Sequence, residues 1–135
     1  MSEKTPYEAI GGRDIVHAAV DLFYENLLGD TTTAPPVSRH FAGLSTGRFE
    51  TVRERTSAVI SRMLGAPDVP PVDLVRLARA HERLDITPQD FDVTVNHLVH
   101  AFAELPQGKI AVAALGKYVQ PLHQILVTPP QEGAL

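Results

Sequence analysis

Apolar residues recur along this chain at helical spacing and almost nowhere at strand spacing. The pattern is fullest from Asp73 to Phe102. Leu74, Leu77, Ala78 and His81 fall at i, i+3, i+4 and i+7, on one face of a helix. An imidazole therefore closes an otherwise apolar stripe. A second helix is expected to open soon after it. Thr87 suits the N-cap, Pro88 the first helical position, and Asp90 the carboxylate of a capping box. Phe91, Val95, Leu98 and Phe102 share the apolar face of that second helix. The His81 ring is thus aimed at an apolar space, where it needs a hydrogen-bond partner or something to bind.

The same periodicity organises the rest. Tyr7 and Ile10 precede Gly11-Gly12, a pair that ends a short helix and permits a sharp turn. Asp14 is the expected cap of a helix from about Ile15 to Leu28, with Val16, Ala19, Val20, Phe23 and Leu27 on its stripe and Tyr24 at the edge. A phenol there packs its ring inward and offers its hydroxyl to whatever the stripe faces. Residues 29–47 are rich in Gly, Thr, Ser and Pro and are expected to be irregular. Phe41 stands alone in them and should lie under the helices, since burying a Phe is worth roughly 1.5–3 kcal/mol. A helix from about Arg48 to Leu64 carries Phe49, Val52, Thr56, Val59, Ile60 and Met63 on one face, Thr56 being the polar exception. Gly65-Ala66-Pro67 ends it, and Pro70-Pro71 extends the connection. After the break Leu105-Pro106-Gln107-Gly108, a last helix runs from about Lys109 to Val127, bearing Val112, Leu115, Val119, Leu122 and Leu126. Pro121 predicts a kink in it, and residues 128–135 a frayed tail. The expectation is an all-α chain of five or so helices, one domain over residues 1–135.

Composition narrows the function. At 135 residues the chain can bury a core without staples. It has no cysteine, which excludes a disulfide framework, a thiolate-held iron–sulfur cluster and a cysteine nucleophile. A net charge of −4 and a pI near 5.8 argue against nucleic acid as a partner. No run has transmembrane length and no signal-peptide core is visible, so a soluble, cytoplasmic chain with no membrane partner is expected. Phosphate-binding glycine loops, zinc spacings and nucleophile elbows are all missing from the sequence. His97 and His100 project away from the Phe91 stripe, toward solvent, and His17, His40 and His123 show no convergent partners. Taken singly, the remaining candidates have plain readings. His81 is more often a core histidine bonded to a carbonyl, Tyr24 a packing residue, Thr56 a hydroxyl bonding back to its own helix, and Phe41 a core plug.

Their order along the chain is more specific. Tyr7, Ile10, Gly11 and Gly12 are followed by Phe23-Tyr24, the loop Phe41, and Leu64, Gly65 and Pro67. Then come Ala80, His81, Leu84, Ile86, Thr87, Phe91 and Asp92, with His97-Leu98 and Pro121-Leu122 after them. This series resembles the truncated haemoglobins, the two-over-two α-helical globins, and most closely their first group. The resemblance implies a globin-like helical sandwich holding haem b (iron protoporphyrin IX). By position, it makes His81 the proximal iron ligand and Tyr24 the distal donor to a bound ligand. It places Phe23, Phe41, Leu77, Ile86, Phe91, Val95, Leu98 and Val119 around the haem, with Arg55 in reach of a propionate. The small ligands it implies are O2, CO and NO. Oxygen storage or transport and nitric oxide dioxygenation are the uses it implies, the latter needing a separate electron-donor protein.

The chain departs from the family pattern in three places. The connections on both sides of Phe41 are longer. Counted back from Leu64-Gly65-Pro67, the two distal positions are Val52 and Thr56; counted forward from Phe41, they are Phe49 and Arg53. The backward count puts the centre of the stripe at Thr56, where a longer glutamine is common in the family. Ala66 replaces a usual glycine, and the prolines before His81 should stiffen that loop. A reading of another class remains beside this one: a non-haem helical interaction module, in which the apolar pocket takes protein or lipid and His81 is a core residue.

Overall fold

A computed structural model describes residues 4–32, 36–67, 70 and 72–127, and every regular element in it is helical. The Thr5 side chain accepts from the Glu8 amide while Glu8 Oε1 accepts from the Thr5 amide at 3.1 Å, a capping box that opens α1, Pro6–Ile10. Gly11 and Gly12 follow with φ of 116° and 79°, values that side chains with a Cβ rarely adopt. They allow α2, Arg13–Gly29, to start directly at Gly12. Asp14 therefore lies inside the first turn of α2 and is not its cap. There its charge still favours the positive end of the helix dipole.

The stretch expected to be irregular holds a short 3-10 helix, Val37–Phe41. Ser45 then accepts from the Arg48 amide at 3.2 Å and opens α3, Thr46–Met63, which begins before Arg48 because that hydroxyl supplies the cap. Asp73 caps α4, Leu74–His81, accepting from the Arg76 amide at 3.1 Å. Asp85, with φ of 50°, turns the chain back, a conformation Asp tolerates better than most residues. Thr87, Pro88 and Asp90 form the expected capping box and start α5, Pro88–Ala103. After Gln107, at φ of 63°, α6 occupies Gly108–Leu126 and continues through Pro121. The tail at 128–135 and Pro71 of the expected proline pair lie outside the described residues.

The helices pack as two pairs, α2 with α3 and α5 with α6, and α2 lies against α5 across the centre. The core between them draws on the predicted stripes, with Val16, Val20, Leu27 and Phe102 fully buried, and adds Leu64 at the end of α3, which no stripe included. Helix α1 closes one end, packing on α6, and its Tyr7 amide donates to the Leu64 carbonyl at 2.9 Å. Helix α4 is different. It has no buried residue, and its chief neighbour is α6. Its apolar stripe is therefore left half-covered.

The break between α5 and α6 admits no side chain. A Cβ on Gly108 would fall on the Phe102 carbonyl and within 3.2 Å of the Ala103 Cα, both backbone. Gly108→Ala is expected to lower the unfolding free energy by about 1–3 kcal/mol, because the turn must open to admit the methyl group. A denaturant midpoint equal to that of the unchanged chain would show that the turn yields freely.

Candidate functional site

Tyr24 lies on the buried face of α2, and three phenylalanines surround its ring. Phe23 is at 4.8 Å between centroids, Phe49 at 5.2 Å and Phe41 at 5.7 Å, the last two edge-on. Edge-to-face pairs of this kind add about 0.5–1.5 kcal/mol each beyond buried area. Phe41 and Phe49 also meet edge-on at 6.3 Å. Phe41 is half-buried rather than fully covered. It shares with Phe49, Leu28, Ala42 and Leu44 the wall of a hollow of about 330 Å³.

One polar partner enters this apolar ring. The Tyr24 hydroxyl lies 2.8 Å from Thr56 Oγ1, which itself donates to the Val52 carbonyl at 2.9 Å. Thr56 has one hydroxyl hydrogen and spends it on Val52, so Tyr24 is the donor in the pair. Burial pushes the phenol pKa up, outweighing the opposite pull of the Thr56 bond, so Tyr24 stays a neutral donor. Of the two distal registers, Thr56 touches Tyr24 through its hydroxyl and Phe49 through its ring. Arg53 turns elsewhere: its Nη1 donates to Asp21 at 2.9 Å on the outer side of α2. Val52 is half-buried against the core.

His81 is the last residue of α4 and is half-buried. Its Nδ1 lies 2.8 Å from the Leu77 carbonyl one turn back. A carbonyl only accepts, so Nδ1 carries a proton, and in the neutral ring Nε2 then keeps its lone pair. Nε2 has no hydrogen-bond partner among the described residues. Leu74 and Ala78 of the same stripe border a second, open hollow of about 420 Å³, which Ile125 of α6 also lines.

The other expected residues fall into two groups. Leu77, Ile86, Val95 and Leu98 are half-buried, and Val119 is exposed at 36%. Phe91 is buried and meets the His123 ring edge-on at 5.0 Å. Arg55 is exposed and forms no ion pair among the described residues. The structure thus assembles Tyr24, Phe23, Phe41, Phe49 and Thr56 as one group and His81 with Leu77 as another. No hydrogen bond or ring contact joins the two.

Three histidines depart from the sequence reading. His97 is not solvated: its Nε2 lies 2.8 Å from Asp30 Oδ2, beyond the end of α2. His17 lies 3.9 Å from Glu54. His40 Nε2 lies 3.2 Å from Asp90 Oδ2, a carboxylate that Arg39 also grips with both Nη atoms, at 2.9 and 2.6 Å. Asp90 was legible as a cap, but its partners stand 50 and 51 residues upstream in a segment without periodicity. The adjacent pair Arg39-His40 was the only available signal.

Two carboxylates give the fold an acid-labile element. The Thr32 hydroxyl, His97 and the Thr32 amide bring the Asp30 pKa from 3.8 down to about 2. Burial alone would raise Asp90, but Arg39, the Thr87 amide and His40 together hold it far below its ordinary value. A carboxylate lowered on folding stabilises the fold above its unfolded pKa and loses that contribution as pH falls through its folded one. The Tm is therefore expected to drop as pH falls from about 4 through about 2. Asp30→Asn should start lower at neutral pH and drop less steeply. A drop as steep as that of the unchanged chain would assign the acid sensitivity to other groups.

Two helix pairs packed over a shared core, beside a lone and thinly covered α4, make a two-over-two globin. The chain belongs to the bacterial-like globin family, whose model matches residues 5–127. It is 24% identical over 118 residues to the group 1 truncated hemoglobin of Tetrahymena thermophila, covering 87% of this chain and 90% of that one. Two solved structures are similar in fold. One is the truncated hemoglobin of Tetrahymena pyriformis in its Fe(III) form, with a TM-score of 0.71 at 20% identity, covering 93% of this chain and 100% of that one. The other is the hemoglobin of the thermophilic phototrophic bacterium Chloroflexus aurantiacus, with a TM-score of 0.70 at 24% identity, covering 94% and 100%.

Proposed function

We propose that this chain binds haem b between α4 and the Tyr24 group, with His81 as the residue that would hold its iron, and takes up a diatomic molecule within reach of Tyr24. The observation that carries this reading is the state of His81. Its Nδ1 is tied to the Leu77 carbonyl, its Nε2 lone pair is unused, and the apolar helix that bears it buries nothing in the protein core. A carbonyl-bound Nδ1–H is the usual way a ligating imidazole is oriented and made more basic. Leaving aliphatic side chains only half-buried is costly, and a flat apolar group would cover them further. Leu77, Ile86, Val95 and Leu98 have that exposure.

When bound, haem would supply an iron centre able to take O2, CO or NO. The chain's own residues do the rest. His81 holds the group from one side. Phe23, Phe41, Phe91 and Val119 bound it with the aliphatic residues, and Arg55 is free to approach a propionate at the rim. Tyr24 presents a neutral hydroxyl, steadied by Thr56 and Val52, to the incoming ligand. Oxygen storage or transport needs no more than this. Nitric oxide dioxygenation at the same pocket would also need an electron donor. A cytoplasmic setting belongs to this reading. It is consistent with there being no described helix long and apolar enough to cross a membrane.

Haemin titration of the purified chain tests the proposal. A saturable Soret band with one-to-one stoichiometry is expected, shifting after reduction under carbon monoxide. A spectrum equal to that of free haemin, in a chain that circular dichroism shows to be folded, would leave the non-haem interaction module as the better account.

A further inference from the structure

The Asp90 carboxylate makes more contacts than a helix cap needs. One contact, from the Thr87 amide to Oδ2 at 3.1 Å, completes the capping box of α5. The others go to a distant segment. Arg39 Nη1 donates to Oδ1, while Arg39 Nη2 and His40 Nε2 approach Oδ2. Arg39 also donates from Nη1 to the Pro36 carbonyl at 2.9 Å, so the guanidinium fastens both ends of its own turn. The Asp90 side chain is 4% exposed, and the partners screen it from solvent.

The segment so held needs holding. A 3-10 helix has strained hydrogen bonds and seldom persists unaided. Here the backbone bonds Arg39 N to Pro36 O, Ala42 N to Arg39 O and Leu44 N to Phe41 O measure 3.2, 3.4 and 3.2 Å, at or beyond the long end of the useful range. Its last residue is Phe41, directly after the clamped pair. The Phe41 ring is one of the walls against which Tyr24 is packed. A shift of Phe41 therefore frees the Tyr24 ring on that side, and with it the direction of the hydroxyl.

We propose that Asp90 is a positioning residue for the ligand pocket: by gripping Arg39 and His40 it fixes Phe41, and through Phe41 the aim of the Tyr24 hydroxyl. This rests on the haem-binding reading for its consequence, though the clamp itself does not. Arginine rather than lysine suits the task, because its planar fork meets both carboxylate oxygens at once.

The test compares Asp90→Asn and the milder Arg39→Lys with Thr87→Ala, which weakens the same helix cap without touching the clamp. In the haem-free chain, amide hydrogen exchange at Ala42 and Leu44 should quicken in the first two variants and not in the third. In the haem-loaded chain, the same two variants should broaden the carbon monoxide stretching band. They should also raise the oxygen dissociation rate by at least about threefold, a fraction of what a whole charged-acceptor hydrogen bond is worth. On a Tyr24→Phe background that increase should vanish. Unchanged exchange at Ala42 and Leu44 would overturn the clamp. Quickened exchange with an unchanged carbon monoxide band and oxygen rate would overturn its link to Tyr24. An equal response in Thr87→Ala would reduce Asp90 to a cap. Failure of the unchanged chain to take up haemin would sink the functional reading and the proposed consequence together, with the exchange result still deciding the clamp.

Discussion

A His81→Ala variant is expected to fold and yet to take up no haem at concentrations that saturate the unchanged chain. The fold has little at stake in this side chain. His81 ends α4, is half-buried, and has the Leu77 carbonyl as its hydrogen-bond partner, a contact worth about 1 kcal/mol. The haem has everything at stake. Losing a group that merely orients a metal ligand costs about 10–100-fold in affinity, so losing the ligand itself should cost at least about 100-fold. Added imidazole should restore part of the Soret band by occupying the vacated position. The opposite pattern, a lowered Tm with haemin binding at the original midpoint, would mean that His81 is a core residue and that the ligand lies elsewhere.

Tyr24→Phe carries the second large effect. The ring stays, so Phe23, Phe41 and Phe49 keep their packing partner and the change in stability should be small. What goes is a neutral donor in an apolar ring. Oxygen held there would gather negative charge and accept from this hydroxyl, and a hydrogen bond to a charged acceptor is worth about 1.5–3 kcal/mol. The oxygen dissociation rate should therefore rise at least about tenfold. Carbon monoxide, which gathers less charge, should respond less. Stopped-flow displacement of oxygen by carbon monoxide measures both. An unaltered oxygen rate would transfer the donor role to Thr56 or to a water.

The helical architecture was legible because it is written in local chemistry. The stripes Val16–Leu27 and Phe49–Met63 repeat at helical period, and the Thr87 capping box needs only residues three apart. Boundaries failed where two signals competed. Asp14 looks like a cap, but Gly12 adopts a conformation closed to other residues and the helix starts there. The 3-10 helix left no trace, since five residues show no period. On the candidate site, the residues proposed to bear the chemistry stood out as exceptions, a histidine and a threonine on apolar faces. Their surroundings did not. That Asp90 binds Arg39 and His40, and that Asp30 takes His97, depends on where three helices come to rest. No spacing within the chain encodes that. The choice between Thr56 and Arg53 was likewise a question of register across two lengthened loops, and side-chain reach separates them only in three dimensions.

The hydroxyl of Tyr24 has a single hydrogen, and in the ligand-free chain it is given to Thr56. Capturing a ligand there is consequently an exchange of partners and not the addition of a bond. The two quantities measured at such a site then part company. Escape of the ligand must break the new bond before the old one re-forms, so the residence time feels its full strength. The equilibrium feels only the difference between the two acceptors. If Tyr24 meets a ligand as proposed, the pocket should be slow to release more than it is tight.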